Sequence, residues 1–306
     1  MKSARENPRN GRSGSRELSL HDPPEPGPGS EVFLLLHGLN LAPARMGAWR
    51  DYFLGEGFAV ASIALAGHRA GDSRLWRRVS AADWLADVDG ARDAVQERWP
   101  GAAVSVFGYS LGAVLAAVWS EERGIPWRRA VYLAPAFGVK GLGAPLLRMG
   151  RTLLPKSLLL PSFAPRAYRF RWATSMAAFG ALLDLIERLP RPEDTPEART
   201  GGGSGPDGPP AAMEGAPQLI FHVEGDQLIS TQALLQYRRR FGAGLSFHPV
   251  YLPGWRRYPR HLAIDPESAG DGPWREMTGR VSRWLKGEGA AGSGVGGADA
   301  TGDGGP

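Results

Sequence analysis

Ser110 lies in Gly108-Tyr109-Ser110-Leu111-Gly112, and the residues flanking that pentapeptide give its hydroxyl a use. A serine oxygen at the tip of a sharp turn, within reach of an imidazole backed by a carboxylate, can attack an acyl carbon. The run before it, Ala103–Phe107, is apolar and reads as a buried strand. After it, Leu111, Val114, Leu115 and Val118 recur at helical spacing. Strand, tight turn and helix are the setting in which G-x-S-x-G works as a nucleophile elbow. Glycine at 108 and 112 removes side chains that would collide where the chain reverses. The free N–H groups and positive dipole end of the helix then face the spot where an oxyanion forms during acyl transfer.

A base and an orienting acid must come from elsewhere. Of the six histidines, His21 is in the N-terminal arm, His37 ends the first strand, His68 follows the second, and His222 and His248 lie inside strands. His261 follows the last strand, in Tyr258-Pro259-Arg260-His261-Leu262-Ala263-Ile264-Asp265, where a loop at a strand's carboxyl end can meet Ser110. It is the expected base. For the acid, Asp226 lies just past the end of the fifth strand, after Gly225. Asp226 is preferred and Glu224 stays open as its rival. Asp265, four residues past His261, reads as a local cap or helix-face partner.

The elements that must position these groups follow from apolar periodicity. Val32–Leu36, Phe58–Ala64, Ala103–Phe107, Ala130–Ala134, Leu219–Val223 and Phe247–Leu252 read as strands, mostly as continuous apolar runs, as in parallel strands covered on both faces. Helical stripes alternate with them: Met46, Trp49 and Phe53 before Gly57; Trp84, Val88, Ala91 and Val95 after a Ser80–Asp83 capping box and before Pro100; Leu234, Leu235, Arg238 and Phe241; and Trp274, Met277, Val281, Trp284 and Leu285. The alternation predicts an α/β fold with a doubly wound, mostly parallel sheet. Pro249 argues that the last strand is at an edge. Residues 138–190 are apolar and helical in pattern, over Ala144–Leu154 and Trp172–Leu189, and are read as a helical cap inserted before the acid-bearing strand, over the carboxyl ends where ligands bind.

The order Ser110, Asp226, His261 and the segments His37-Gly38-Leu39-Asn40, Gly67-His68, Gly108–Gly112 and Arg260–Asp265 resemble the α/β-hydrolase superfamily over about Val32 to Leu285. Within it the chain is similar to bacterial carboxylesterases and monoacylglycerol lipase-like lysophospholipases. The resemblance implies that the backbone N–H groups of Leu39 and Leu111 form the oxyanion hole, each worth roughly 3 kcal/mol to the transition state. It makes His37, with Gly38, Gly108 and Gly112, a supporting residue and His68 a structural one. Members of the family often begin with an antiparallel pair, for which Leu18–His21 is the stretch available.

Residues 1–29, 191–216 and 287–306 are rich in Gly, Pro and polar residues and are expected to be disordered, leaving 30–286 as one hydrolase domain. With no cysteine, a disulfide framework and a thiol nucleophile are excluded. No apolar run reaches the roughly 18–20 residues of a membrane span, and the N-terminus lacks a signal-peptide core, so a cytoplasmic protein is expected. No cofactor or metal is called for, and the net charge of +5 with scattered arginines does not argue for nucleic acid. The expected function is a serine hydrolase cleaving a medium or long acyl ester, such as a monoacylglycerol or lysophospholipid. A thioesterase or acyltransferase with the same triad remains open, as does a non-catalytic binding module on the scaffold. The cap carries Lys140, Arg148, Arg151, Lys156, Arg166, Arg169 and Arg171 with no acid until Asp184. That charge could approach an anionic lipid surface, or belong to an ordinary amphipathic cap with arginines snorkelling into water.

Overall fold

The structure is a computed structural model and describes residues 17–23, 31–140, 143–162, 164–189, 216–241, 245–254 and 257–288. Its strands are β1 (Leu18–His21), β2 (Glu31–Leu36), β3 (Ala59–Ile63), β4 (Ala103–Tyr109), β5 (Ala130–Leu133), β6 (Leu159–Pro161), β7 (Ala173–Ser175), β8 (Gln218–Val223) and β9 (Leu245–Val250). Its helices are α1 (Gly47–Gly55), α2 (Ser73–Trp76), α3 (Ala81–Arg98), α4 (Leu111–Arg123), α5 (Gly143–Leu153), α6 (Met176–Arg188), α7 (Thr231–Phe241), α8 (Pro266–Ala269) and α9 (Asp271–Leu285).

Seven strands pair in the order β1-β3-β2-β4-β5-β8-β9, all parallel except β1, which runs antiparallel to β3. This is the doubly wound, mostly parallel sheet expected. Alternation along β2 sends Val32, Leu34 and Leu36 to one face and Phe33 and Leu35 to the other, and all five are buried. The stripe Trp84, Val88, Ala91 and Val95 of α3 packs on the first face with α4. Trp49 and Phe53 of α1, with Met277 and Val281 of α9, pack on the second. Each large side chain so buried contributes roughly 1.5–3 kcal/mol. The capping box of α3 forms: the Asp83 N–H donates to Ser80 Oγ, and the Ser80 N–H donates to the Asp83 carboxylate.

Three expectations need correction. Leu18–His21 lies in the stretch read as a disordered arm, yet it forms β1, because the free edge of β3 offers it a ladder. The other segments expected to be disordered lie almost wholly outside the described residues. The last strand runs Leu245–Val250 rather than 247–252; it is at the sheet edge, with Pro249 opposite His222. Ala173–Ser175, inside the run read as a helix from Trp172, is instead strand β7, paired antiparallel with β6, and α6 starts only at Met176, where Ser175 Oγ accepts the Ala178 N–H as its cap. Among the described residues, no helix is long and apolar enough to cross a membrane.

Candidate active site

Ser110 follows β4 directly and has φ 52° and ψ −109°. A residue with a side chain enters this region only where its surroundings hold it. Its N–H donates to the Leu133 carbonyl (3.0 Å), and its carbonyl accepts from Ala113 (3.2 Å) and Ala136 (3.1 Å). A Cβ on Gly112 would lie 2.0 Å from the Leu36 carbonyl oxygen, and one on Gly108 2.6 Å from the Ala113 backbone, so the turn closes only with glycine at both positions.

Ser110 Oγ lies 2.9 Å from His261 Nε2, and His261 Nδ1 lies 2.7 Å from Asp226 Oδ2. A carboxylate only accepts, so Nδ1 carries the hydrogen and Nε2 is left to accept from the serine hydroxyl. The second Asp226 oxygen accepts the N–H groups of Leu228 (2.7 Å) and Ile229 (3.2 Å). Burial alone would raise the Asp226 pKa. The hydrogen bond and charge of His261, with the two N–H groups, outweigh burial and hold the carboxyl below its usual range. The rival Glu224 is more exposed and turns toward His222, 3.6 Å away. Asp265 caps α8 by accepting the Ser268 N–H (2.7 Å), and it also accepts the Tyr168 hydroxyl (2.9 Å).

Leu111 opens α4, so its N–H has no partner within the helix. The loop after β2 presses against the same turn: a Cβ on Gly38 would sit 2.8 Å from the Tyr109 ring and 3.4 Å from Ser110 Cβ. Tyr109 is a residue that the pentapeptide pattern does not mark. Its ring lies beside the His261 imidazole, centroids 5.6 Å apart, and its hydroxyl donates to the His261 carbonyl (3.0 Å).

Two histidines brace the loops after β2 and β3 reciprocally. His37 Nε2 accepts the Leu65 N–H (3.1 Å), and His68 Nε2 accepts the Asn40 N–H (2.9 Å). His37 Nδ1 is then the donor to the Gly38 carbonyl (2.9 Å). Both rings must be neutral to accept. Burial pulls the His37 pKa down to about 4, opposed by the Gly38 hydrogen bond and assisted by the charge of Arg69. Burial first, then the neighbouring His37, holds His68 well below its ordinary value. Between these values and about 6.5 the unfolded chain binds protons that the folded chain refuses. Stability is therefore expected to be full above about pH 6.5 and to fall as pH drops toward 4, by about 3 kcal/mol for His37 alone. Thermal melts from about pH 7 to 4.5 check this; a flat profile contradicts the brace.

Asn40 carries a second clamp with no local sequence signal. At φ 54°, its side-chain oxygen accepts the Arg171 N–H (2.8 Å), its amide donates to the Arg171 carbonyl (2.9 Å), and its own carbonyl accepts the Phe170 N–H (2.8 Å). The Arg171 guanidinium reaches on to the Gly67 carbonyl (3.1 Å) and Ser73 Oγ (3.2 Å). The segment before β7 is thus tied to the loops at the carboxyl ends of β2 and β3.

Fold and site together define an α/β-hydrolase with a serine, a histidine and a carboxylate joined in one hydrogen-bonded run. Residues 28–184 match a family model described as serine aminopeptidase, S33, and the chain belongs to that family. No curated protein matches it. Among solved structures it is similar to a soluble variant of monoglyceride lipase from Saccharomyces cerevisiae bound to a substrate analogue, with 10% identity over 91% of this chain and 94% of that one and a TM-score of 0.70. It is also similar to a thermostable carboxyl esterase from Bacillus coagulans in complex with glycerol, at 15% identity, 89% and 94% coverage and a TM-score of 0.64. A monoacylglycerol lipase from Paleococcus ferrophilus gives 16% identity, 90% and 99% coverage and a TM-score of 0.63. At these identities the likeness is one of fold.

Proposed function

We propose that the protein hydrolyses carboxylic esters of medium or long acyl chains through an acyl-enzyme on Ser110. The observation that carries this reading is the hydrogen-bonded run from Ser110 Oγ through His261 to Asp226. His261 Nε2 takes the serine proton as Oγ attacks the ester carbonyl, and Asp226 stabilises the imidazolium that results. The N–H groups of Leu39 and Leu111 receive the developing oxyanion. His261 returns the proton to the leaving alcohol, then activates a water that adds to the acyl carbon, and collapse frees the acid and restores the serine. No step calls for a cofactor.

In the same reading, 30–286 is the hydrolase domain and 138–190 its cap, whose Leu147, Leu160 and Phe170 are among the apolar residues available to an acyl chain. The bound glycerol and substrate analogue belong to the similar structures; they favour a glycerol ester as the first substrate to try. Glycerol and p-nitrophenyl esters of rising chain length test the proposal. The expected result is a kcat/KM at least about tenfold higher for a decanoyl than for an acetyl ester; equal values, or no hydrolysis of any ester, reject it. The Asn40 clamp supplies a finer test. Asn40→Gly keeps the positive φ accessible but removes both side-chain bonds, and kcat is expected to fall about tenfold with KM little changed, because the Leu39 N–H is no longer held in place.

A further inference from the structure

The helix α5 is amphipathic in the reverse sense. A surface helix ordinarily turns its apolar stripe inward and its charges to water. In α5 the arginines face α6: Arg151 bonds Asp184 (2.8 Å) and Glu187 (3.0 Å), and Arg148 lies 3.4 Å from Glu187. Gly150 marks the packed side, where a Cβ would approach Met176 Cε to 3.0 Å. Leu146, Met149 and Leu153, spaced three and four apart, point outward with 58%, 54% and 70% of their surfaces exposed. Within α5, then, the arginines pair with the acids of α6 while an apolar stripe faces outward.

The exposed apolar surface extends beyond the helix. Leu158 and Trp172 flank the β6–β7 pair, the first bonded through its carbonyl to the Met176 N–H and the second to the Ser162 N–H. Six of the ten exposed large apolar side chains among the described residues fall between 146 and 172, a concentration rather than the usual scatter. Cations border it. Arg77 donates to the Ser157 carbonyl (3.4 Å), next to the exposed Lys156, and Arg74 and Arg78 stand exposed beside Arg77. Among the described residues none of these four is in an ion pair. The chain's own segment 190–215 holds no Leu, Ile, Val, Phe, Tyr or Trp with which to cover such a face.

We propose that the outward face of α5, with Leu158 and Trp172 and the basic border of Arg74, Arg77, Arg78 and Lys156, docks on an anionic phospholipid bilayer. Leucine, methionine and tryptophan enter the interface while the cations meet lipid phosphates, the two-part attraction that interfacial helices use. The inference goes beyond the proposed hydrolysis and does not depend on Ser110.

Cosedimentation with phosphatidylcholine vesicles, with and without about 30% phosphatidylglycerol, tests it. The full chain is expected to bind the anionic vesicles at least about tenfold more tightly than the neutral ones, and to release in high salt. L146D/L153D is expected to lose at least about tenfold in affinity, and Arg77→Ala and Lys156→Ala about fivefold each. All should hydrolyse a soluble short ester at the wild-type rate, and Ser110→Ala should bind vesicles like wild type, so a failure of docking is read separately from a failure of catalysis. The proposal is overturned if wild type ignores anionic vesicles, or if L146D/L153D binds them unchanged. It is also overturned if wild type is a dimer in solution that L146D/L153D splits, which assigns the face to a second copy.

Discussion

Ser110→Ala is expected to lower ester hydrolysis by about 10⁴-fold or more while leaving the protein folded. The loss is large because nothing else in the site can bond covalently to the acyl group, and the oxyanion donors alone retain only a small residual rate. The fold should survive because the turn is held by the backbone: the N–H and carbonyl of Ser110 keep their bonds to Leu133, Ala113 and Ala136 whatever the side chain. A covalent fluorophosphonate label on the wild type, absent from the variant, gives a second readout and separates an enzyme from a binding module. A variant that melts like wild type and turns over esters at a comparable rate would falsify the assignment.

Asp226→Asn is expected to lower kcat by about 10³- to 10⁴-fold with little change in KM. Asparagine keeps the size of the side chain, and its oxygen can still accept from Leu228 and Ile229. Its amide then faces His261 Nδ1 with hydrogens, so the ring must carry its own hydrogen on Nε2 and can no longer accept from Ser110. Glu224→Gln is the matched control. That side chain faces His222, away from the imidazole at 261, and its activity should stay within about twofold. Steady-state kinetics on the two variants decide between the acids; a collapse in Glu224→Gln with Asp226→Asn active reverses the assignment.

The parts of this molecule legible in its sequence are those fixed by short-range chemistry. The strands at β2, β4, β5 and β8 announce themselves because both faces of the sheet are covered and most of their positions are apolar. The elbow is readable because only glycine fits at 108 and 112, and Asp265 because a carboxylate three residues before Ser268 is a local cap. Sequence prefers Asp226 without excluding Glu224, because both end the same strand; the tight turn at Gly225, with φ 70°, is what sends one inward and the other out. The remainder depends on partners distant along the chain. Asn40 and Arg171 are 131 positions apart and joined through backbone groups, which no side-chain pattern reports. Ala173–Ser175 becomes a strand because β6 pairs with it, against the helical spacing of its neighbours. The orientation of α5 is set by Asp184 and Glu187 on α6, so the same amphipathic spacing serves either way round.

The two rims of the main sheet have a consequence for the protein in concentrated solution. One rim is β1, only four residues long, and the other is β9, in which proline at 249 contributes no amide hydrogen. A neighbouring molecule seeking to graft its own backbone onto either margin meets a run too short or interrupted to template growth. Fibrous self-assembly through strand addition is thereby discouraged at both ends, although the interior of the sheet is built from the apolar, β-branched and aromatic residues most prone to it.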